Sequence, residues 1–370
     1  MGMEITLQGF QDNARIPEVF TAMKPIEKAS FGRLAGGEEA HLYTLTNQHG
    51  MTLVVSDYGC RIVRLLVPDR DGKPADVVLG HRTLEEYLGG NYQGTFVGRY
   101  ANRIGGAKFS LGDRTYELTR NDGENTLHGG PLGFHQKLYA AELTNGEEPS
   151  ITFTGESPDM EEGYPGNLSI QVKYTLTNDN ELVIDYRAET DKETVFNPTN
   201  HAFFNLTGDP QQEVLDTVLQ IHAQRVTRVG SDLIPDGTFQ DVEDTPLDFT
   251  QPKTIGRDIE GNDPIVQQVG GFDHNYCVDG EGFRLFAKAV EPASGRVMEV
   301  FSDLPGVQLY TFNSVDGLIG KDGKPMKPHT AFCLETQFYP DSPNHDSFPF
   351  DTLKPGEPFT SRTVYRFSVE

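Results

Sequence analysis

The sequence predicts an all-β fold, and three observations carry that expectation. Its 370 residues include Gly 39 and Pro 23, the punctuation of a chain that turns often. Thr, Val, Tyr and Phe are frequent between those punctuators, as suits pleated, half-buried surfaces. From residue 39 onward, short runs that alternate or are continuously apolar stop at "NQHG", "DRDG", "SLGD", "NDGE", "TNDN" and "VDGEG", a succession of strands and hairpins.

Taken in order, residues 1–38 are the least patterned, and "IPEVFTAMKPIEKASFG" suggests one short helix broken by Pro25 in an extension laid on the main domain. Residues 39–370 show no internal repeat, low-complexity tract or linker, which makes a single large β domain the simplest organisation. Only "RTLEEYLGG" (82–90) reads as helical after the extension, with Gly89-Gly90 to end it. In "NPTNHAFFNLTG" (197–208), alternation puts Asn197, Thr199, His201, Phe203 and Asn205 on one face and Pro198, Asn200, Ala202, Phe204 and Leu206 on the other. A core face is not built of amides, a hydroxyl and a histidine.

In "HTAFCLETQFYPDSPNH" (329–345), alternation groups Phe332, Leu334, Thr336 and Phe338 against Ala331, Cys333, Glu335, Gln337 and Tyr339. Glu335 therefore points away from the apolar side. Partly apolar surroundings tend to raise a carboxylic acid above its free value of about 4.3, which suits a general base. At the end, "LKPGEPFTSRTVYRFS" makes a Pro-Gly turn and then a strand with Phe359, Tyr365 and Phe367 on one face.

Charge narrows the function. Lys+Arg 31 against Asp+Glu 55 gives a formal net charge of −24, a field that repels phosphate backbones and anionic lipid, so neither nucleic acid nor membrane is expected as a partner. The three cysteines, Cys60, Cys277 and Cys333, are far apart and lack CxxC spacing, which indicates reduced thiols rather than a disulfide framework or a thiolate zinc site. No export signal or apolar stretch long enough to span a membrane is visible, and a cytoplasmic protein is expected.

Chemistry-bearing residues gather in "GRYANRIGGAKFSL" (98–111), "NTLHGG" (125–130), "NPTNHAFFNLTG", "HTAFCLETQFYPDSPNH" and, more weakly, "GFDHNY" (271–276). Each has a bland reading. A strand glutamate is commonly a solvated face residue and a single histidine a hydrogen-bonded structural group. "NDGENTLHGG" fits a long polar turn, Arg103 fits an ordinary ion pair, and Asp273 and His274 could shape a turn after Gly270-Gly271. In combination and in order, however, "GRYANRI", "LHGG", "NPTNHAFFNL", "GFDHN" and "LETQFYPDSP" resemble the aldose 1-epimerases, the galactose mutarotase family, from about residue 39 to the C-terminus.

That resemblance implies a large antiparallel β-sandwich of the supersandwich, galactose mutarotase-like type, a sugar cleft across one curved sheet, and interconversion of α and β anomers of a small-molecule aldose without cofactor or metal. It implies that the face carrying His201 is the floor of that cleft, with Asn and Thr groups orienting the imidazole and Phe203 excluding water. It implies Glu335 as general base, His201 as general acid and His128 as a helper at the ring oxygen, with Arg103 and Asp273 holding sugar hydroxyls. Asn102, beside Arg103, is expected to line the cleft, and the chain to work as a monomer or homodimer. The chemistry is self-consistent: one base takes the C1 hydroxyl proton, one acid protonates the ring oxygen, and each positioned transfer contributes about 10² to 10⁴-fold. Two imidazoles at one oxygen oppose each other's protonation, so His201 is assigned the proton and His128 the role of neutral donor. Activity at neutral pH then calls for a nearby carboxylate that raises His201.

The chain also departs from the family's habits. With Trp 0, sugar stacking must come from Phe or Tyr, and Tyr139 stands where relatives commonly carry Trp after "LHGG". Phe312 precedes Asn313 in "VQLYTFNSVDG", which bears on sugar preference. Four rivals remain at this point: a hexose-6-phosphate 1-epimerase, which needs extra Arg or Lys; a zinc hydrolase using His128, His201 and Glu335; a non-catalytic sugar-binding protein on the same fold; and a glycosidase, which usually needs two facing carboxylates.

Overall fold

The computed structural model describes residues 24–259, 261–315 and 317–370. Residues 16–23 of the segment expected to hold an N-terminal helix lie outside the described residues. The described part of the extension instead contributes a strand, Glu27–Arg33, which pairs antiparallel with Glu39–Thr46 at the edge of a five-stranded sheet completed by Thr52–Ser56, Arg61–Pro68 and Pro74–Asp76.

A nine-stranded antiparallel sheet forms the largest layer, in the order Ala140–Thr144, Ser150–Ser157, Leu168–Leu176, Glu181–Thr190, Phe359–Val369, Arg296–Ser302, Arg284–Val290, Val218–Ile221 and Lys253–Thr254. The C-terminal strand fills its centre because Phe359, Tyr365 and Phe367 fall on the inward face while Thr360, Arg362 and Arg366 face solvent. A second five-stranded sheet runs Pro235–Asp241, Arg225–Val229, Asp273–Cys277, Gly306–Tyr310 and Cys333–Gln337. One apolar core joins all three layers: Leu45 and Leu53, Tyr174 and Ile184, and Tyr276, Leu309 and Leu334 belong to the same packed cluster.

Helix is scarce, as composition requires. The expected helix is the single turn Leu84–Tyr87, with Thr83 and Glu86 closing a capping box. A second turn, Pro264–Gln267, was not anticipated, although Asp263 as N-cap and Pro264 at the first helical position are its signals. The stretch 197–208 is less regular than a strand: Thr199–Asn200 pairs with Phe96–Val97 and Phe204 bridges to Val78 and Phe332. It pairs with loop fragments rather than a full strand, yet the chain stays extended enough to keep its two faces distinct. Ala202, Phe204 and Leu206 enter the main core, while His201 and Phe203 line a cavity.

Candidate active site

Register across the second five-stranded sheet builds one wall of that cavity. Gln308 lies opposite both Asn275 and Glu335, and Tyr310 lies opposite both Asp273 and Cys333. With a side-chain period of two, these six residues share a face and their alternates Tyr276, Leu309 and Leu334 share the core face. Glu335 thus leaves the apolar side, as alternation predicted, and is nonetheless buried at 2% exposure.

The opposite wall is made of loops. His128 adopts a positive φ of 52° and is followed by Gly129 at φ 83°. A Cβ at Gly129 would sit 2.1 Å from the Gly98 carbonyl oxygen, so only glycine permits this close turn. His128 and Asn102 are tied reciprocally: the His128 amide donates to the Asn102 carbonyl at 2.9 Å, and the Asn102 amide donates to His128 Nδ1 at 3.1 Å. Because Nδ1 accepts, the neutral ring carries its proton on Nε2.

All six residues expected at the site, Asn102, Arg103, His128, His201, Asp273 and Glu335, line one cavity of about 450 Å³. His201 Nε2 lies 3.5 Å from Glu335 Oε1, and the His128 and His201 ring centres are 5.2 Å apart. Arg103 donates through Nε to Asp122 Oδ2 at 2.7 Å, and it is the only Arg or Lys among the lining residues. Asp273 accepts from Gln308 Nε2 at 2.7 Å. His274 turns into the other face and is buried.

Electrostatics agree with expectation at two groups and reverse it at a third. Burial, with Asp273 adding repulsion and Arg103 opposing, pushes Glu335 well above the usual carboxylate range. Burial, the neighbouring His201, Arg103 and His135 push His128 well below the imidazole range, which keeps it neutral. His201, expected to be raised by a carboxylate, is instead pulled down to about 3, chiefly by burial; its own backbone opposes in part and the Arg61 charge adds a smaller push down. The carboxyl beside it, Glu335, is itself raised by burial. The expected polar orienting groups are also absent from the imidazole: Asn197 is engaged by Ala101 and Phe338 backbone, and His201 Nδ1 has no hydrogen-bond partner among the described residues. Phe203 does pack on the ring, 4.8 Å away and 8° from parallel.

Sequence reasoning missed Tyr92, Gln308 and Tyr310. Tyr310 was legible as the site-face neighbour of Gln308 in "VQLY"; Tyr92, in a loop between Gly90 and Gly94, had no periodic signal. Tyr139 does not serve the cavity: it is buried in the main core and donates to the Phe134 carbonyl. The rings that line the cavity are Tyr92, Phe203 and Tyr310. One nitrogen or oxygen atom from each of His128, His201 and Glu335 lies within 4.8 Å of the other two, and His128 Nδ1 already accepts from the Asn102 amide.

The fold is an antiparallel β-sandwich, and its cavity brings a buried carboxyl within 3.5 Å of an imidazole, groups suited to proton transfer. The family model for aldose 1-epimerase matches residues 41–366. A galactose mutarotase of Bos taurus is 41% identical over 352 residues, covering 94% of this chain and 100% of its own, and an aldose 1-epimerase of Escherichia coli K12 is 33% identical over 339 residues, covering 90% and 97%. The crystal structure of a galactose 1-epimerase from Lactobacillus acidophilus superposes with a TM-score of 0.84 at 27% identity, over 94% of this chain and 99% of that one. The chain belongs to the aldose 1-epimerase family.

Proposed function

We propose that the protein interconverts the α and β anomers of free hexoses, galactose and glucose foremost. Glu335 takes the proton from the C1 hydroxyl as His201 delivers one to the ring oxygen. The C1–O5 bond breaks as C1=O forms, rotation about C1–C2 presents the other carbonyl face, and the reverse transfers close the ring. His128, with its proton on Nε2, donates to the ring oxygen, while Arg103 and Asp273 hold hydroxyls and Asn102 borders them.

The observation that carries this reading is the 3.5 Å approach of His201 Nε2 to Glu335 Oε1 in a buried cavity. A neutral Glu335–His201 pair and the working carboxylate–imidazolium pair contain the same number of protons. They differ only in where one proton sits, so a raised Glu335 and a lowered His201 do not oppose the mechanism.

A free sugar is favoured over a sugar phosphate because Arg103 is the sole Arg or Lys among the described lining residues and already has an anionic partner in Asp122. We read residues 39–370 as one domain, supported by the shared core, the chain as a monomer or homodimer, and its location as cytoplasmic, supported by three buried free thiols; no described helix is long and apolar enough to cross a membrane. Polarimetry of freshly dissolved galactose, glucose and glucose 6-phosphate tests the substrate class. Turnover of the phosphate with higher kcat/KM than either free sugar would reverse it.

A further inference from the structure

Behind the two imidazoles lies a buried cation with no anion. Arg61 is fully buried and forms no ion pair among the described residues. Nη1 donates to the Gln93 carbonyl at 2.6 Å and to Asn91 Oδ1 at 3.2 Å, and Nη2 donates to the Asn91 and His135 carbonyls at 3.3 Å each. Its guanidinium also lies 4.5 Å from the Tyr87 ring centre. A buried charge met by carbonyls, an amide and the Tyr87 and Tyr58 rings loses the hydration energy that a carboxylate would repay, and all of those acceptors but the rings fix loop backbone or side chain on either side of Tyr92 or at His135.

A second set of bonds ties the same loop to the histidine stretch. The Gly94 amide donates to the His201 carbonyl at 2.8 Å, the His201 amide donates to the Thr95 carbonyl at 2.9 Å, and the Ile62 amide donates to the Gly94 carbonyl at 2.8 Å. Gly94 has φ +72°, and a Cβ there would meet the Ile62 carbonyl oxygen at 2.1 Å, so the approach depends on glycine. The ring that this scaffold presents is Tyr92. It lies 4.6 Å from His128, 4.7 Å from His135 and, within 13° of parallel, 6.0 Å from His201. His201 thus has two near-parallel aromatic neighbours, Phe203 and Tyr92, while its Nδ1 lacks the hydrogen bond that ordinarily fixes an imidazole.

We propose that Tyr92, held by the Arg61 clamp on Asn91 and Gln93, is a positioning residue that sets the ring orientations of both His128 and His201. Stacking does here what a second-shell hydrogen bond commonly does, and the ring face is the part that acts. The inference rests on the acid–base reading of His201 and Glu335 given above.

The test is Tyr92→Leu beside Tyr92→Phe in the full chain, with kcat and KM for galactose and the imidazole nitrogen signals of the sugar-free protein by NMR. Tyr92→Leu is expected to lower kcat by about 10- to 100-fold, as misplacement of reacting groups does, with a smaller change in KM and altered ring signals for His128 and His201. Tyr92→Phe, which keeps the face, is expected to recover most of that loss. An unchanged kcat in Tyr92→Leu, or a Phe variant as impaired as the Leu variant, overturns the proposal. Where Tyr92→Leu does not fold, Arg61→Lys decides: it keeps Tyr92 and loses the forked clamp, so a reduced kcat with altered ring signals supports the proposal and wild-type values of both overturn it. A fully active Glu335→Gln would remove the underlying acid–base reading, whereas an inactive Glu335→Gln with a fully active Tyr92→Leu removes this inference alone.

Discussion

Glu335→Gln is the perturbation that separates chemistry from architecture most cleanly. The amide keeps the shape of the carboxyl and removes the base. Loss of a positioned proton acceptor lowers kcat by about 10² to 10⁴-fold, equivalent to about 3 to 5 kcal/mol of transition-state stabilisation. Folding should hardly notice. Glu335 Oε2 is buried without a hydrogen-bond partner, and Oε1 has only the 3.5 Å approach of His201, so no strong interaction is lost and stability should move by no more than about 1 kcal/mol. The assay is the initial rate of optical rotation change for freshly dissolved α-galactose, corrected for the buffer-catalysed rate, beside a melting curve. A variant that mutarotates at the wild-type rate refutes the assignment of the base. A collapse of the melting temperature alongside the rate would refute the claim that the carboxyl is a chemical rather than a structural group.

Two further outcomes follow from the electrostatics. The Glu335–His201 pair works with one shared proton: a second proton enters only as His201 is charged, at about 3, and the shared one leaves only above the raised Glu335 range. The kcat profile should therefore stay level from mildly acid to neutral pH and descend on the alkaline side; an acid limb centred at the ordinary imidazole value of 6.5 would contradict it. Asp273→Asn removes a hydroxyl acceptor and the negative charge that helps raise Glu335, so KM should rise by about 10-fold or more, as loss of a charged hydrogen bond does, and the alkaline limb should move to lower pH. Steady-state kinetics across pH checks both changes, and an alkaline limb that moves upward would show the sign to be wrong.

Much of the sheet wall was legible because it is governed by period two. Alternation alone put Leu334 in the core and Glu335 on the other face, and the pairing of Gln308 with Glu335 follows once the strands are in register. The loop wall was legible only through resemblance: nothing periodic brings His128 and Asn102 together, since their contact depends on two positive-φ turns and a glycine approach. The direction of the His201 shift was not legible at all. A face of amides and a hydroxyl suggests a polar setting, but Asn197 spends its bonds on backbone and the imidazole is walled by Phe203 and Tyr92. Burial by rings supplied from elsewhere in the chain leaves no trace in local sequence.

That burial has a mechanistic consequence. Glu335 Oε2 and His201 Nδ1 are both buried and unpaired, and an unmade hydrogen bond at such an atom costs about 1 to 3 kcal/mol. A sugar hydroxyl donating to the Glu335 carboxyl stabilises its ionised form over its neutral form, because a carboxylate is the stronger acceptor. The proton then released finds its nearest base in His201, 3.5 Å away, and an imidazolium between the Phe203 and Tyr92 faces gains cation–π attraction that a neutral ring lacks. Substrate binding and proton placement are therefore coupled. A polyol that donates hydrogen bonds to Glu335 shifts the pair from its neutral toward its ionised arrangement.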